Sequence, residues 1–256
     1  MAERKKLKVI LLRHTLSPEE TIALSAKLCY SKSTIEDLRD KISRKDQSEF
    51  IEKLMNMGHE SVLEHVTFSF GVEGVSRVLL AQLTRHRIAS FSVQSQRYVS
   101  YENGFGYILP DSIAALGEDA VQQYQKQMDT IEGWYVDWQK KLGKGEKSNE
   151  DARFVLPNAC ETRLVVTMNV RELRHFFSLR MCNRAQWEIR KMAEEMFRIC
   201  FETAPALFAD AGPACIRGKC PEGKHLTTHG CGLFAIHATI HVCALFLKGY
   251  GHCNTI

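Results

Sequence analysis

The chain has 256 residues, 45% of them apolar and 25% charged, with a net charge of +4. This is the balance of a globular protein with a substantial core, which excludes a largely disordered chain. The mild positive charge favours anionic ligands but is too small to point to nucleic acid.

In chain order, residues 8–12 read as a short buried aliphatic strand, too short for the core of a signal peptide. Pro18-Glu19-Glu20 opens a helix, with Ser17 as its N-cap and proline at the first helical position. Helices follow over residues 34–42 and 46–57, the second stopped by Gly58. Val66, Phe68 and Phe70 alternate with Thr67 and Ser69, a strand with one buried face. A helix is then expected over residues 75–84. Val121, Tyr124, Met128, Ile131, Tyr135, Trp138 and Leu142 mark one face of a long helix, suited to packing or a subunit interface. Residues 143–148 read as a charged surface loop. Residues 164–170 form a strand, and Ile189, Met192, Ala193, Met196, Phe197 and Cys200 form a second helical stripe.

The expected fold class is α/β, a mixed sheet flanked by long helices. Regular βαβ alternation is missing, so no Rossmann or P-loop unit is expected, and neither GxGxxG nor GxxxxGK[ST] occurs. A bound nucleotide would have its phosphate charge met by side chains, chiefly arginine. Nine cysteines in so long a chain do not make a small disulfide scaffold. Cys29, Cys160, Cys182 and Cys200 sit singly in apolar or helical stretches and read as reduced, buried thiols. The apolar stretch 232–247 holds two histidines and falls short of a bilayer span. A cytoplasmic protein without a membrane segment is expected.

The densest polar region is Gln82-Leu-Thr-Arg85-His86-Arg87-Ile-Ala-Ser90-Phe-Ser92-Val-Gln94-Ser95-Gln96-Arg97-Tyr98. Successive helical residues are about 100° apart, so Arg85, His86 and Arg87 cannot all face one side of a continuing helix. They fit a helix end, fanning toward different groups. Guanidinium pairs with phosphate oxygens bidentately. On residue types alone, a solvated basic turn is the plainer reading.

Arg85-His86-Arg87, then seven residues, then Ser95 resembles the signature of flavin-dependent thymidylate synthases, and Ser95-Gln96-Arg97-Tyr98 resembles its ending. His59-Glu60-Ser61-Val62-Leu63-Glu64-His65 is similar to that family's H-E-x-x-x-E-H segment. Ala152-Arg153-Phe-Val-Leu-Pro157 is similar to its A-R-x-x-L-P segment. Asn169-Val-Arg-Glu-Leu, His175, Arg180 and Ala185-Gln186-Trp187-Glu188-Ile189 continue the likeness in order.

The resemblance implies reductive methylation of deoxyuridylate (dUMP) to thymidylate. Methylenetetrahydrofolate would donate the carbon, NADPH-reduced FAD the hydride, and no cysteine nucleophile would take part. It implies dUMP contacts from Gln82, Arg85, Ser95, Gln96, Arg97 and Arg153, and FAD contacts from Ser61, Arg85, His86, Arg87, Asn169, Arg171 and His175. His59 and Glu64 would line the flavin and folate pocket. Arg180 would lie against uracil N3 and O4 and stabilise developing negative charge, its plainer alternative being a surface pair with Glu188. Val93 stands where some members carry a polar side chain, and offers only its backbone. A homotetramer with sites shared between subunits is implied. Residues 1–221 would form the synthase domain and 222–256 a His/Cys-containing tail. Within that tail, residues 225–256 match no family pattern. His237 and His241 could share a helix face, but no Cys-x-x-Cys accompanies them, so no metal is expected.

Two other classes compete with this one. A nucleotide hydrolase would need clustered acids for a metal ion, which the motif region lacks. An RNA-binding module would interleave aromatics with basic residues on strands, and only Phe91 and Tyr98 qualify.

Overall fold

The structure, a computed structural model, describes residues 2–143 and 145–218. Its strands are β1 (Glu3–Arg4), β2 (Lys8–His14), β3 (Thr67–Ser76), β4 (Ala89–Val93), β5 (Gly106–Tyr107) and β6 (Glu161–Asn169). Its helices are α1 (Pro18–Leu28), α2 (Ile35–Ser43), α3 (Ser48–Asn56), α4 (Arg77–Leu83), α5 (Asp111–Ala114), α6 (Glu118–Leu142), α7 (Glu146–Ala152), α8 (Val170–Arg180), α9 (Trp187–Thr203) and α10 (Pro205–Phe208). A 3-10 helix spans Glu60–His65. The α/β class expected from the sequence is the one observed, with small sheets among helices. The chain divides into two compact units: residues up to Arg13 with Phe68–Met168, and His14–Thr67 with the residues from Asn169 onward.

In the first unit four strands run in the order β2-β3-β6-β4, and β1 pairs with β5 in parallel. The alternation read in the sequence holds: Phe68, Phe70 and Val72 of β3 are buried, as are Leu164, Val166 and Met168 of β6. Each such side chain contributes about 1.5–3 kcal/mol on burial. β4 lies antiparallel to β6, with Phe91 opposite Val166 and Val93 opposite Leu164. β2 is not the buried strand expected. It lies at the sheet edge beside β3, and the face that carries Ile10 and Leu12 is exposed. Gly74 has φ +67°, and a Cβ there would lie 1.9 Å from the Lys6 carbonyl oxygen. Only glycine permits that crossing of the backbones.

The predicted helix over 75–84 begins later. Ser76 stays extended and accepts from the Leu79 N–H at 3.1 Å, so Val75 belongs to β3. The α6 stripe packs Met128 and Tyr135 into a cluster with Tyr101, Phe105 and Tyr107. Trp138 and Leu142 on the same stripe are about half exposed. The loop expected at 143–148 is shorter than read. Gly143 and Gly145 take φ +87° and +111°, conformations glycine reaches without strain, and α7 starts at Glu146.

In the second unit α1 packs on α2 and α3, burying Ile22, Ala23, Leu38, Ile42 and Ile51. Thr34 caps α2 by accepting from the Asp37 N–H. Ser17 does not cap α1. Its backbone is left-handed (φ 43°), and its side chain makes no hydrogen bond to the first helical N–H groups. Gly58, with φ +73°, ends α3 as expected. The strand expected to run to Val170 stops at Asn169, whose side chain accepts from the Glu172 N–H and starts α8. Phe177 of α8 meets Phe197 of α9 edge-on at 5.5 Å and Phe208 of α10 at 6.0 Å. The α9 stripe is buried in full, from Ile189 to Cys200.

Candidate functional site

The Arg85-His86-Arg87 triplet sits where α4 ends. Thr84 returns its hydroxyl to the Leu80 carbonyl, Arg85 N donates to Gln82 O, and His86 N donates to Leu83 O. These shorter-range bonds tighten the last turn and close it. Three residues on, β4 begins. The fan expected from 100° spacing is realised: His86 is buried, while Arg85 and Arg87 stay exposed on either side of it. Exposed guanidinium beside a buried imidazole leaves two cations available to an anionic ligand. Gln82, from the last turn of α4, is half-buried.

Beyond β4 the chain turns sharply. Gln94 N still donates to Arg163 O, continuing the ladder, and Val99 N donates to Ser95 O. Ser95 Oγ accepts from the Arg97 N–H at 3.2 Å. Gln96 points inward: its Nε2 lies 3.5 Å from the buried Cys160 Sγ. Arg97 points outward, with Nη2 2.6 Å from Glu146 and Nε 2.8 Å from Glu150, both on α7. Arg153 immediately follows α7, and its Nε donates to the Glu150 carbonyl at 3.1 Å. Residues 95–97 and 153, more than fifty positions apart in sequence, are thus joined through one short helix. Val93 pairs with Leu164 through its backbone and is half-buried.

The second unit carries the other set. Asn169 caps α8, and Arg171 and His175, four residues apart, are exposed on one helical face. Arg171 Nη1 donates to Glu64 at 2.5 Å and its Nε lies 3.8 Å from Glu60. Glu64 is thereby brought beside Arg171, while His59 and Ser61, from the same stretch, are exposed. Arg180 closes α8 and is half-buried. What orients α8 is Arg174, 3% exposed, whose guanidinium donates to Leu207 O at 2.7 Å and pairs with Asp210 at 2.8 Å.

Glu146, Asn149 and Glu150 do not stand out in the sequence, since the start of α7 reads as linker. The signal that could have found them is the spacing of Glu146, Asn149, Glu150 and Arg153 on one helix face. A groove of about 420 Å³ beside α6 is lined by Glu102, Asp129, Glu132 and Asp137 with Lys140. Its acidity does not suit a phosphate, and it contains none of the expected site residues.

The thiols divide by burial. Cys160 and Cys200 are buried as expected, whereas Cys29 is exposed and Cys182 half-buried, because each of those two lies just past a helix end. Burial pushes the Cys160 thiol up to about 12, against the hydrogen bond from Gln96. Among the described residues no cluster of three or more His, Cys, Asp or Glu could hold a metal ion. The tail histidines and cysteines of residues 225–256 lie outside the described residues.

The sequence profile of the family described as Thymidylate synthase complementing protein matches residues 10–206. Flavin-dependent thymidylate synthase of Geobacter sulfurreducens is 50% identical over 218 residues, covering 85% of this chain and 92% of that protein. The enzyme of the same name from Clostridium tetani is 46% identical, covering 85% and 91%. The Nitratidesulfovibrio vulgaris protein, also of that name, is 43% identical and covers 93% of this chain and 99% of its own. That coverage reaches into residues 225–256, so part of the tail has a counterpart after all. With the profile spanning most of its length and identity this high across nearly whole relatives, the chain belongs to the flavin-dependent thymidylate synthase family.

Proposed function

We propose that the protein is a flavin-dependent thymidylate synthase that methylates dUMP reductively to thymidylate. Methylenetetrahydrofolate is the carbon donor and NADPH the reductant. The observation that carries this reading is the identity to relatives of that name, together with an arginine pair left exposed at the end of α4.

The donor chemistry suits FAD. Arg85 and Arg87 in the first unit and Arg171 in the second are exposed cations of the kind that pair with a pyrophosphate, and Ser61, His86, Asn169 and His175 add hydrogen-bonding groups. His59 and Glu64 would line the flavin and folate pocket. Bound FAD supplies the hydride, so the protein's own task is to hold and polarise the reactants. Gln82, Arg85, Ser95, Gln96, Arg97 and Arg153 form the dUMP set.

Arg180 is the residue assigned to activation. A guanidinium at uracil N3 and O4 stabilises the ring more as it gains negative charge than in its neutral state, which lowers the barrier. No thiolate is called upon: Cys160 is held protonated by burial, and burial likewise raises the pKa of Cys200. The enzyme is proposed to be a cytoplasmic homotetramer with residues 1–221 as the synthase domain. The exposed Trp134, Trp138 and Leu142 of α6 offer apolar area for subunit contact. No described helix is long and apolar enough to cross a membrane.

The experiment is a flavin spectrum of the purified protein with and without dUMP, followed by turnover of Arg180→Ala. The protein should bind FAD stoichiometrically, and its spectrum should shift with dUMP. Arg180→Ala should lose at least about a hundredfold in rate, the scale of one donor to a developing anion, while retaining FAD. A colourless protein indifferent to FAD would end the proposal, and equal loss of flavin in Arg180→Ala would end the role given to Arg180.

A further inference from the structure

Helix α7 turns Glu146, Asn149, Glu150 and the following Arg153 toward one side, and three of the four touch Arg97. The two glutamates reach its guanidinium from positions about half exposed. Such contacts exchange readily with water or with another anion. Asn149 differs in kind. It is 4% exposed, and its Nδ2 donates to the backbone carbonyl of Arg97 at 3.0 Å. Its Oδ1 accepts from Gln139 Nε2 at 2.6 Å, and the same nitrogen reaches Tyr135 OH and Ser100 Oγ at 3.0 Å each. The Asn149 amide is therefore fixed in its flip by a donor on one side and an acceptor on the other.

An arginine side chain has several rotatable bonds, so where its guanidinium can go depends on where its backbone is held. Ser95 restrains Arg97 at the N–H and Asn149 restrains it at the carbonyl. The hydroxyl belongs to the same turn and moves with it. The buried amide belongs to α7, a separate element. We infer that Asn149, held by Gln139, is a positioning residue that fixes the Arg97 backbone, so that the Arg97 guanidinium is presented to a phosphate. This rests on the reading of Arg97 as a dUMP contact.

The test is Asn149→Asp in the FAD-loaded enzyme, with Arg97→Ala and wild type alongside. The substitution keeps shape and the acceptor for Gln139 but replaces the donor to Arg97 with a carboxylate oxygen. At pH 8 the KM for dUMP should rise about tenfold, the scale of a buried hydrogen bond made repulsive. FAD affinity and kcat at saturating dUMP should stay within about twofold of wild type. As pH falls toward 6, protonation of the new carboxyl, its pKa raised by burial, restores a donor, and the gap to wild type should narrow. An unchanged KM, a parallel loss of kcat, FAD and KM, or a gap that does not narrow with pH would each overturn the inference. Should Asn149→Asp not fold, Gln139→Met reads the same chain of bonds. It should raise KM about threefold with kcat kept, and an unchanged KM there overturns the inference as well. If Arg97→Ala itself leaves dUMP binding intact, the dUMP assignment of Arg97 falls first. If Arg97→Ala weakens binding and Asn149→Asp does not, the positioning role alone is wrong.

Discussion

Arg174 and Asp210 form a pair whose two ends see different surroundings. The guanidinium is buried, with Nε meeting no acceptor among the described residues, while the carboxylate is 46% exposed. Asp210→Ala removes the partner of a cation that water cannot reach. Arg174→Met removes the cation itself and leaves a carboxylate that water can hydrate. Stripping one partner from a fully buried pair costs about 3–5 kcal/mol. With one end half open to solvent, about 2–3 kcal/mol is expected for Asp210→Ala. For Arg174→Met the loss is the hydrogen bond to Leu207 O, about 1 kcal/mol, partly offset by the buried thioether. At about 2–4 °C per kcal/mol for a chain of this size, Asp210→Ala should melt roughly 4–12 °C below wild type and Arg174→Met only a few degrees below. Thermal unfolding at neutral pH measures both. Equal or greater loss for Arg174→Met would refute the claim that the stranded charge is what costs. The pH dependence follows from the same pair. Burial alone would raise the Asp210 pKa, but the hydrogen bond and charge of Arg174 outweigh it and lower the folded value. The stabilisation is then complete above the ordinary aspartate range, near about pH 4, and is lost as pH falls through the lower folded pKa. Asp210→Asn should flatten that acid limb of the stability curve.

Gly74→Ala should be severe. Left-handed strain of about 1–2 kcal/mol adds to a collision with the Lys6 carbonyl, so melting should drop by more than about 4 °C, whereas Gly133→Ala, with open space at its Cβ, should raise helix stability slightly. Under native conditions iodoacetamide should modify exposed Cys29 and spare Cys160 and Cys200 until the protein unfolds, as read by peptide mass spectrometry. Labelling of Cys160 at the rate of Cys29 would contradict its burial.

Local periodicity made much of the fold legible. The alternation through Phe68 and Phe70, the α6 and α9 stripes, Gly58 as a stop and Pro18 as a start all describe interactions within a few residues, and those are what the chain shows. Misreadings fall where neighbours distant in sequence decide. The aliphatic run of β2 looks like a core strand, but its exposure depends on what packs against each face of the sheet. Ser17 has a capping residue's chemistry, but its backbone is left-handed and its side chain makes no cap hydrogen bond. The charged stretch before Asn149 looks like linker because its glycines precede a helix of only seven residues, too short for a hydrophobic stripe to declare itself.

The candidate site divides the same way. Arg85-His86-Arg87 through Tyr98 is contiguous, so its residue types and spacing announced family and chemistry without any coordinates. That His86 would be buried between two exposed arginines, and that Gln96 would turn in while Arg97 turned out, depends on where α4 tightens and how β4 meets β6. The joining of Arg97 to Glu146, Asn149 and Glu150, and of Arg171 to Glu64, spans from about fifty to more than a hundred residues. Sequence by itself determined which side chains can bind phosphate, because that is a property of the guanidinium group. Only the tertiary structure decided which of them are held, by what, and how firmly, because burial and partners at such separations are set by packing and not by the order of residues.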